Sequence, residues 1–233
     1  LEVAMTMNRW LRAMRCSGAA AAVATLVACA SGPPVPDWQA NAKAAMDQAT
    51  AAYLSGDSAA EARAFERARE QISRTGRPEL LARAELMRCA AHVASLEFAP
   101  CAGFERLQSD ATPAERAYAE HLAARPLSRE DIERLPPAQQ AVARAVAGGD
   151  MPAVSVQGID DPLSRLIAAA VLFQAGKASP ATLALAADTA SAQGWRRPLL
   201  AWLEVLALRA ERSGAVDEAQ RLRRQMQLVQ GAK

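Results

Sequence analysis

The feature that most limits what this chain can become is its residue usage. Alanine is very abundant, leucine and arginine are common, aromatic residues are only 4%, and runs of β-branched residues are almost missing. Helices favour the first three, whereas strands need the last two. The expected fold class is therefore all-α. Alanine-rich helices approach closely but each buries little apolar area, so stability should come from many interfaces rather than one large core.

Turn residues divide the chain into about nine expected helices. Asp37 is an N-cap, and Trp38, Ala42, Ala45, Met46, Ala49, Ala52 and Tyr53 follow at helical spacing until Ser55-Gly56 ends the run. Asp57 caps a second helix whose stripe is Ala60, Ala64, Phe65, Ala68 and Ile72. A linker as short as Ser-Gly-Asp makes the two antiparallel neighbours. A third helix starts at Pro78, where a missing N–H does no harm. Leu80, Leu81, Ala84, Met87, Ala91 and Ala94 are expected on its buried side, and it should stop before Pro100. Thr112 and Glu115 have capping-box spacing at the head of a helix over 113–124. Ser128 opens a short helix, and Pro136-Pro137 opens another that Gly148-Gly149 ends. Four more are expected at 162–175, 179–193, 197–213 and 215–229, again with short turns. The segment Asp150 to Asp161 has no helical period and reads as a connector or as a binding loop on a helical frame.

Ahead of these helices, Arg9, Arg12 and Arg15 precede the apolar, small-residue run Ser17 to Ala28, the layout of a secretory signal. The run is too short and too rich in alanine to span about 30 Å of hydrocarbon. The tetrapeptide Leu26-Val27-Ala28-Cys29 resembles the bacterial lipobox, which implies cleavage before Cys29 and attachment of a diacylglycerol to its sulfur. Residues 1–28 are then a lipoprotein signal peptide, 29–36 a flexible Pro-rich tether, and 37–233 the helical domain. Met5 or Met7 is the expected initiator. Two or three acyl chains hold a protein on a membrane almost permanently, whereas one does not. Ala30 and Ser31 follow the cysteine in place of the Asp that the resemblance associates with the inner membrane, so the expected address is the outer membrane, facing the periplasm.

Three of the 27 Lys and Arg residues and one of the 25 Asp and Glu residues precede Cys29, which leaves 24 of each sign in the mature part. A neutral chain lacks the basic surface that nucleic acid demands. Of the four cysteines, Cys16 goes with the signal and Cys29 is the lipidation site. In an oxidising compartment the remaining pair, Cys89 and Cys101, is read as a disulfide, the alternative being two buried thiols. If the third helix ends near Leu96, Cys101 must retrace about 10 Å in five residues that span about 17 Å, so closure is feasible.

Gly176 and Ala181, and 38 residues later Gly214 and Ala219, show one design, a glycine ending a helix and an alanine five residues on. Gly56, Phe65 and Ala68 repeat it loosely, with Glu61 in the place of the small residue. This resembles the tetratricopeptide repeat, which implies stacked helical hairpins forming a short solenoid with a concave face. The usual Trp-Leu-Gly pattern is missing at most positions, so the resemblance carries architecture alone, over about half of the mature chain. The whole chain also resembles proteobacterial lipoproteins, which brings no activity with it.

No catalytic residue, cofactor site or metal site is expected. The two histidines, His92 between apolar positions and His121 on an exposed-looking stretch beside Glu120, have no nucleophile elbow or zinc-site spacing near them. The carboxylate pairs Asp160-Asp161, Glu130-Asp131 and Glu66 with Glu70 read as helix caps and solvated faces. Trp195 and Trp202, seven apart, are candidate partner-binding residues on one helix face, with core packing as the alternative reading. The expectation is a non-enzymatic, lipid-anchored scaffold or adaptor that binds a protein or peptide partner. The rivals are a glycan-binding protein or enzyme of the envelope using a groove near 150–161, and a simple structural spacer.

Overall fold

A computed structural model describes residues 35–148 and 156–231. Eleven helices and no strand are found among them: α1 (Asp37–Ser55), α2 (Ser58–Ser73), α3 (Pro78–Ala94), α4 (Ala102–Glu105), α5 (Pro113–Leu122), α6 (Arg129–Arg134), α7 (Pro137–Ala147), α8 (Pro162–Gln174), α9 (Pro180–Ala192), α10 (Arg196–Arg212) and α11 (Val216–Gly231). The expected all-α class and helical hairpins are present. Cys29, most of the tether and residues 149–155 lie outside the described residues.

Local chemistry sets the boundaries. Asp57 accepts from the Ala60 N–H at 2.8 Å, and the Thr112/Glu115 capping box is complete, with Glu115 accepting from the Thr112 N–H at 2.8 Å. Proline occupies the first turn of α3, α5, α7, α8 and α9, where no intrahelical donor is lost. The chain reverses between α1 and α2 at Gly56, whose φ of 98° suits glycine. Leu96 (φ 61°) and Ala124 (φ 53°) follow α3 and α5 in the same left-handed region without being glycine. Their side chains pack against the main core, which offsets a backbone cost of about 1–2 kcal/mol each.

Two helices organise the packing. In α8 seven successive residues, Leu166 to Leu172, are buried, so the helix is apolar all round and enclosed by neighbours. It packs on α3, α7 and α9. Helix α3 has two buried faces. Ala82, Leu86, Ala90 and Val93 join the main core with α8, while Ala84 faces the α1–α2 hairpin with Leu80 and Leu81. The single stripe expected from the sequence is therefore too simple, and Met87, placed on it, is exposed. Residues between the two buried faces of a central helix are what is left for solvent.

Besides the hairpins α1–α2, α8–α9 and α10–α11, helix α10 packs on α1 and α3 on α8. These contacts bring distant parts of the chain together, whereas repeats in a solenoid contact only their neighbours. Ala219 is buried between α10 and α11 while Ala181 is exposed, so these two alanines do not occupy equivalent places.

Candidate functional site

The chain between α3 and α4 is where most of the unusual chemistry collects. After Ala94 the helix stops, and residues 97–101 form a strap with no regular secondary structure. Three anchors hold it. Cys101 is joined to Cys89 of α3, with the two Cα atoms 5.8 Å apart. Phe98 stacks on Phe173 of α8 with ring centroids 6.4 Å apart. Glu97 lies between His92 Nδ1, 3.2 Å away, and Arg197 Nη1, 3.4 Å away. Helix α3 thus ends early enough for the cystine to close. The four-residue α4 beyond it was not expected, because so short an element has no periodicity to read.

Two clefts border the strap. The first, about 220 Å³, is lined by Glu85, Arg88 and His92 of α3, by Glu97, and by Gly103 of α4. The second, about 390 Å³, has Val93, Phe98, Phe104 and Leu122 among its apolar lining and Glu105, Glu120 and Arg125 among its polar lining. Ala99, Pro100 and both cysteines line the two together.

Behind the first cleft is a buried ionic network. The side chains of Glu61 and Glu85 are each only 5% exposed. Arg88 donates to Glu61 through Nε and, at 3.1 Å, through Nη2, and its guanidinium lies 4.8 Å over the Phe65 ring. The Glu61 bond holds the Arg88 charge more firmly than in water. Glu85 is paired with Arg69 of α2. The Glu61 carboxylate, standing where the repeat pattern has a small residue, is therefore balanced rather than free. Its position on the Ala64–Phe65–Ala68 stripe was the sequence signal for a buried partner, and the Arg88 that answers it comes from another helix.

A second cluster joins α1, α3 and α10. The Tyr53 ring is stacked on His92, centroids 4.1 Å apart, and Arg197 lies 4.3 Å from the Tyr53 centroid. Arg197 also donates to the Tyr53 carbonyl at 2.9 Å and to Ser58 Oγ at 2.7 Å, so it ties the turn between α1 and α2 to α10. Burial, and then the Glu97 charge, push the Tyr53 hydroxyl well above its usual range. Burial also holds the His92 imidazole below its ordinary pKa, against the opposing pull of Glu97 and Glu61.

The remaining sequence candidates fall as follows. Trp202 is 0% exposed, its indole N–H donates to the Ala94 carbonyl at 3.1 Å, and its ring meets Phe173 edge-on. It is a core residue that satisfies the end of α3, which corrects its candidacy for partner binding. Trp195 is half-buried against the main core and the Tyr53 cluster, so the two indoles do not form a joint surface. His121 is buried, not exposed, and Gln139 bridges it at 3.1 Å to the Ser164 carbonyl at 2.9 Å. Burial lowers its pKa. Asp161 caps α8 through the Ser164 N–H at 2.7 Å, Asp131 and Glu130 pair with Arg134, and Glu66 lies 3.7 Å from Arg69. Residues 150–155, half of the segment where a groove was expected, lie outside the described residues.

No group of three or more His, Cys, Asp or Glu able to hold a metal is present among the described residues, and none of their helices is long and apolar enough to cross a membrane. Fold and site together define a class: an all-α protein of helical hairpins with a cystine-pinned strap that borders two clefts. Compared with protein-family models, curated proteins and solved structures, the chain has no match in any of the three.

Proposed function

We propose that this protein is a lipid-anchored adaptor of the cell envelope. It is tethered through Cys29 to the outer membrane, faces the periplasm, and holds a protein or peptide partner on its helical domain. The observation that carries the reading is a strap pinned by a cystine and bordered by two clefts on a packed helical frame. The lipobox-like Leu26-Val27-Ala28-Cys29 supports the address, and a cystine is the form that cysteines 89 and 101 take in an oxidising compartment. The helical hairpins fit a partner held in a groove between helices.

Two measurements test it. Intact mass of the protein extracted from membranes should include a diacylglycerol on Cys29, and Cys29→Ala should move the protein from the detergent phase to the soluble fraction. Photo-cross-linking in intact cells from several surface positions should recover one specific protein. Recovery of glycan alone, or an unacylated soluble product, would sink the proposal.

A further inference from the structure

We propose that His92 gates the first cleft in response to acid. As a neutral imidazole it stands on the Tyr53 ring and leaves the cleft open; as an imidazolium it leaves that ring and swings into the cleft. The gate works whatever the cleft receives, so it does not rest on the adaptor reading.

Hydrogen bonding at the two ring nitrogens is the first ground. Nδ1 lies 3.2 Å from Glu97 Oε2 and carries the proton of the neutral ring, because a carboxylate only accepts. Nε2 is buried and has no hydrogen-bond partner among the described residues. Glu61 Oε1 stands 3.9 Å from it, beyond hydrogen-bond range, and both Glu61 oxygens already accept from Arg88. A proton added at Nε2 therefore creates a buried donor with nothing placed to receive it, which a folded protein avoids.

Charge is the second ground. The titratable and charged groups that face His92 are Tyr53 of α1, Glu61 of α2, Arg88 of α3, Glu97 of the strap and Arg197 of α10, and Glu85 shares its cleft. Each of the three carboxylates already holds a guanidinium: Glu61 that of Arg88, Glu97 that of Arg197 and Glu85 that of Arg69. An imidazolium kept on the Tyr53 ring is then a surplus positive charge in a half-buried place. Burial holds the ring below its ordinary pKa against the pull of Glu97 and Glu61, in keeping with that balance.

Room is the third ground. His92 lines the first cleft, and its side chain is 31% exposed. The cleft, about 220 Å³, admits an imidazole, and a change of rotamer takes the ring there without moving α3. In the cleft both N–H groups reach water. Tyr53 loses the stack but keeps Arg197, which lies 4.3 Å from its ring centroid and donates to its carbonyl. Helix α1 thus stays docked, and the cleft is filled by its own wall.

The test is a titration of the full chain in detergent, with isotope-labelled histidine, from about pH 8 to about pH 4.5. The two histidine signals are assigned from His92→Gln or His121→Asn. At the alkaline end, cross-relaxation should connect the His92 and Tyr53 ring protons. That contact should be lost as His92 takes up its proton, with a midpoint below about 6.5. The amide of Gly103, which lines the same cleft, should shift with the same midpoint, while helical circular dichroism stays constant through the step. In His92→Gln the Gly103 shift should be lost. A ring contact that survives protonation overturns the proposal, as does a His92 that stays neutral throughout. So does a contact that disappears only together with the helical signal, or a Gly103 shift of the same size in His92→Gln. Should His92→Gln fail to fold, the ring contact in the unsubstituted protein decides alone.

Discussion

Gly103→Ala gives a sharp test of the packing behind the first cleft, because its sign should depend on one other residue. A Cβ added at Gly103 would lie 2.0 Å from Glu85 Oε2 and 2.3 Å from Glu85 Cδ, so the buried carboxylate must move. It has somewhere to go, since Glu85 and Gly103 both line the cleft of about 220 Å³, but moving there means leaving Arg69. A hydrogen bond to a charged group contributes about 1.5–3 kcal/mol. Against that loss, replacing glycine with alanine in a helical turn gains about 0.5–1 kcal/mol. The expected net destabilisation is about 1–2 kcal/mol, or about 2–8 °C in Tm for a domain of this size. In a Glu85→Ala background the obstruction is gone, and the same substitution should stabilise by about 0.5 kcal/mol. Urea unfolding of the four proteins, followed by helical circular dichroism, closes the cycle, with an expected coupling of about 2 kcal/mol. Gly158→Ala, where an added Cβ meets nothing within 4 Å, serves as control. Equal effects of Gly103→Ala in both backgrounds would refute the argument that Glu85 is held in place by its partner and by the missing side chain opposite.

Acidification should weaken the fold through its two histidines. Burial holds His92 and His121 below the unfolded value near 6.5, so the unfolded chain takes up protons first as pH falls. Stability should be full above about pH 6.5 and decline below it through the folded pKa values, and His121→Asn should lower stability at pH 8 while flattening that decline. Reducing the Cys89–Cys101 bond, whose sequence separation is 12, should cost about 3 kcal/mol in unfolding experiments with and without dithiothreitol. Trp202→Phe should destabilise by about 1–3 kcal/mol, because the buried Ala94 carbonyl loses its donor, and unchanged thermal stability would argue against a core role.

Much of this architecture could be read from the sequence because helix starts and stops are local events. Asp57, Thr112, Ser128 and the helix-initiating prolines act within one turn of themselves, and the boundaries they imply agree with the structure to within a residue or two in most cases. The cystine was legible for the same reason, since a helix end and a span of five residues decide whether it can close. The site was legible only in part. Glu61 stood out as a charge on an apolar stripe, but nothing near it in sequence named Arg88 as its partner.

What the sequence alone determined is helix content, hairpin connectivity and an even balance of charges from Cys29 onward, all properties of composition or of contacts a few residues apart. What the tertiary structure decided is which helix faces are buried. Helix α3 became central, so that Met87 was left in solvent and Glu85 was enclosed; Trp202 entered the core, and His121 met Gln139. Burial depends on what packs from distant parts of the chain, and a period of 3.6 residues identifies one apolar face but cannot say how many neighbours a helix will have.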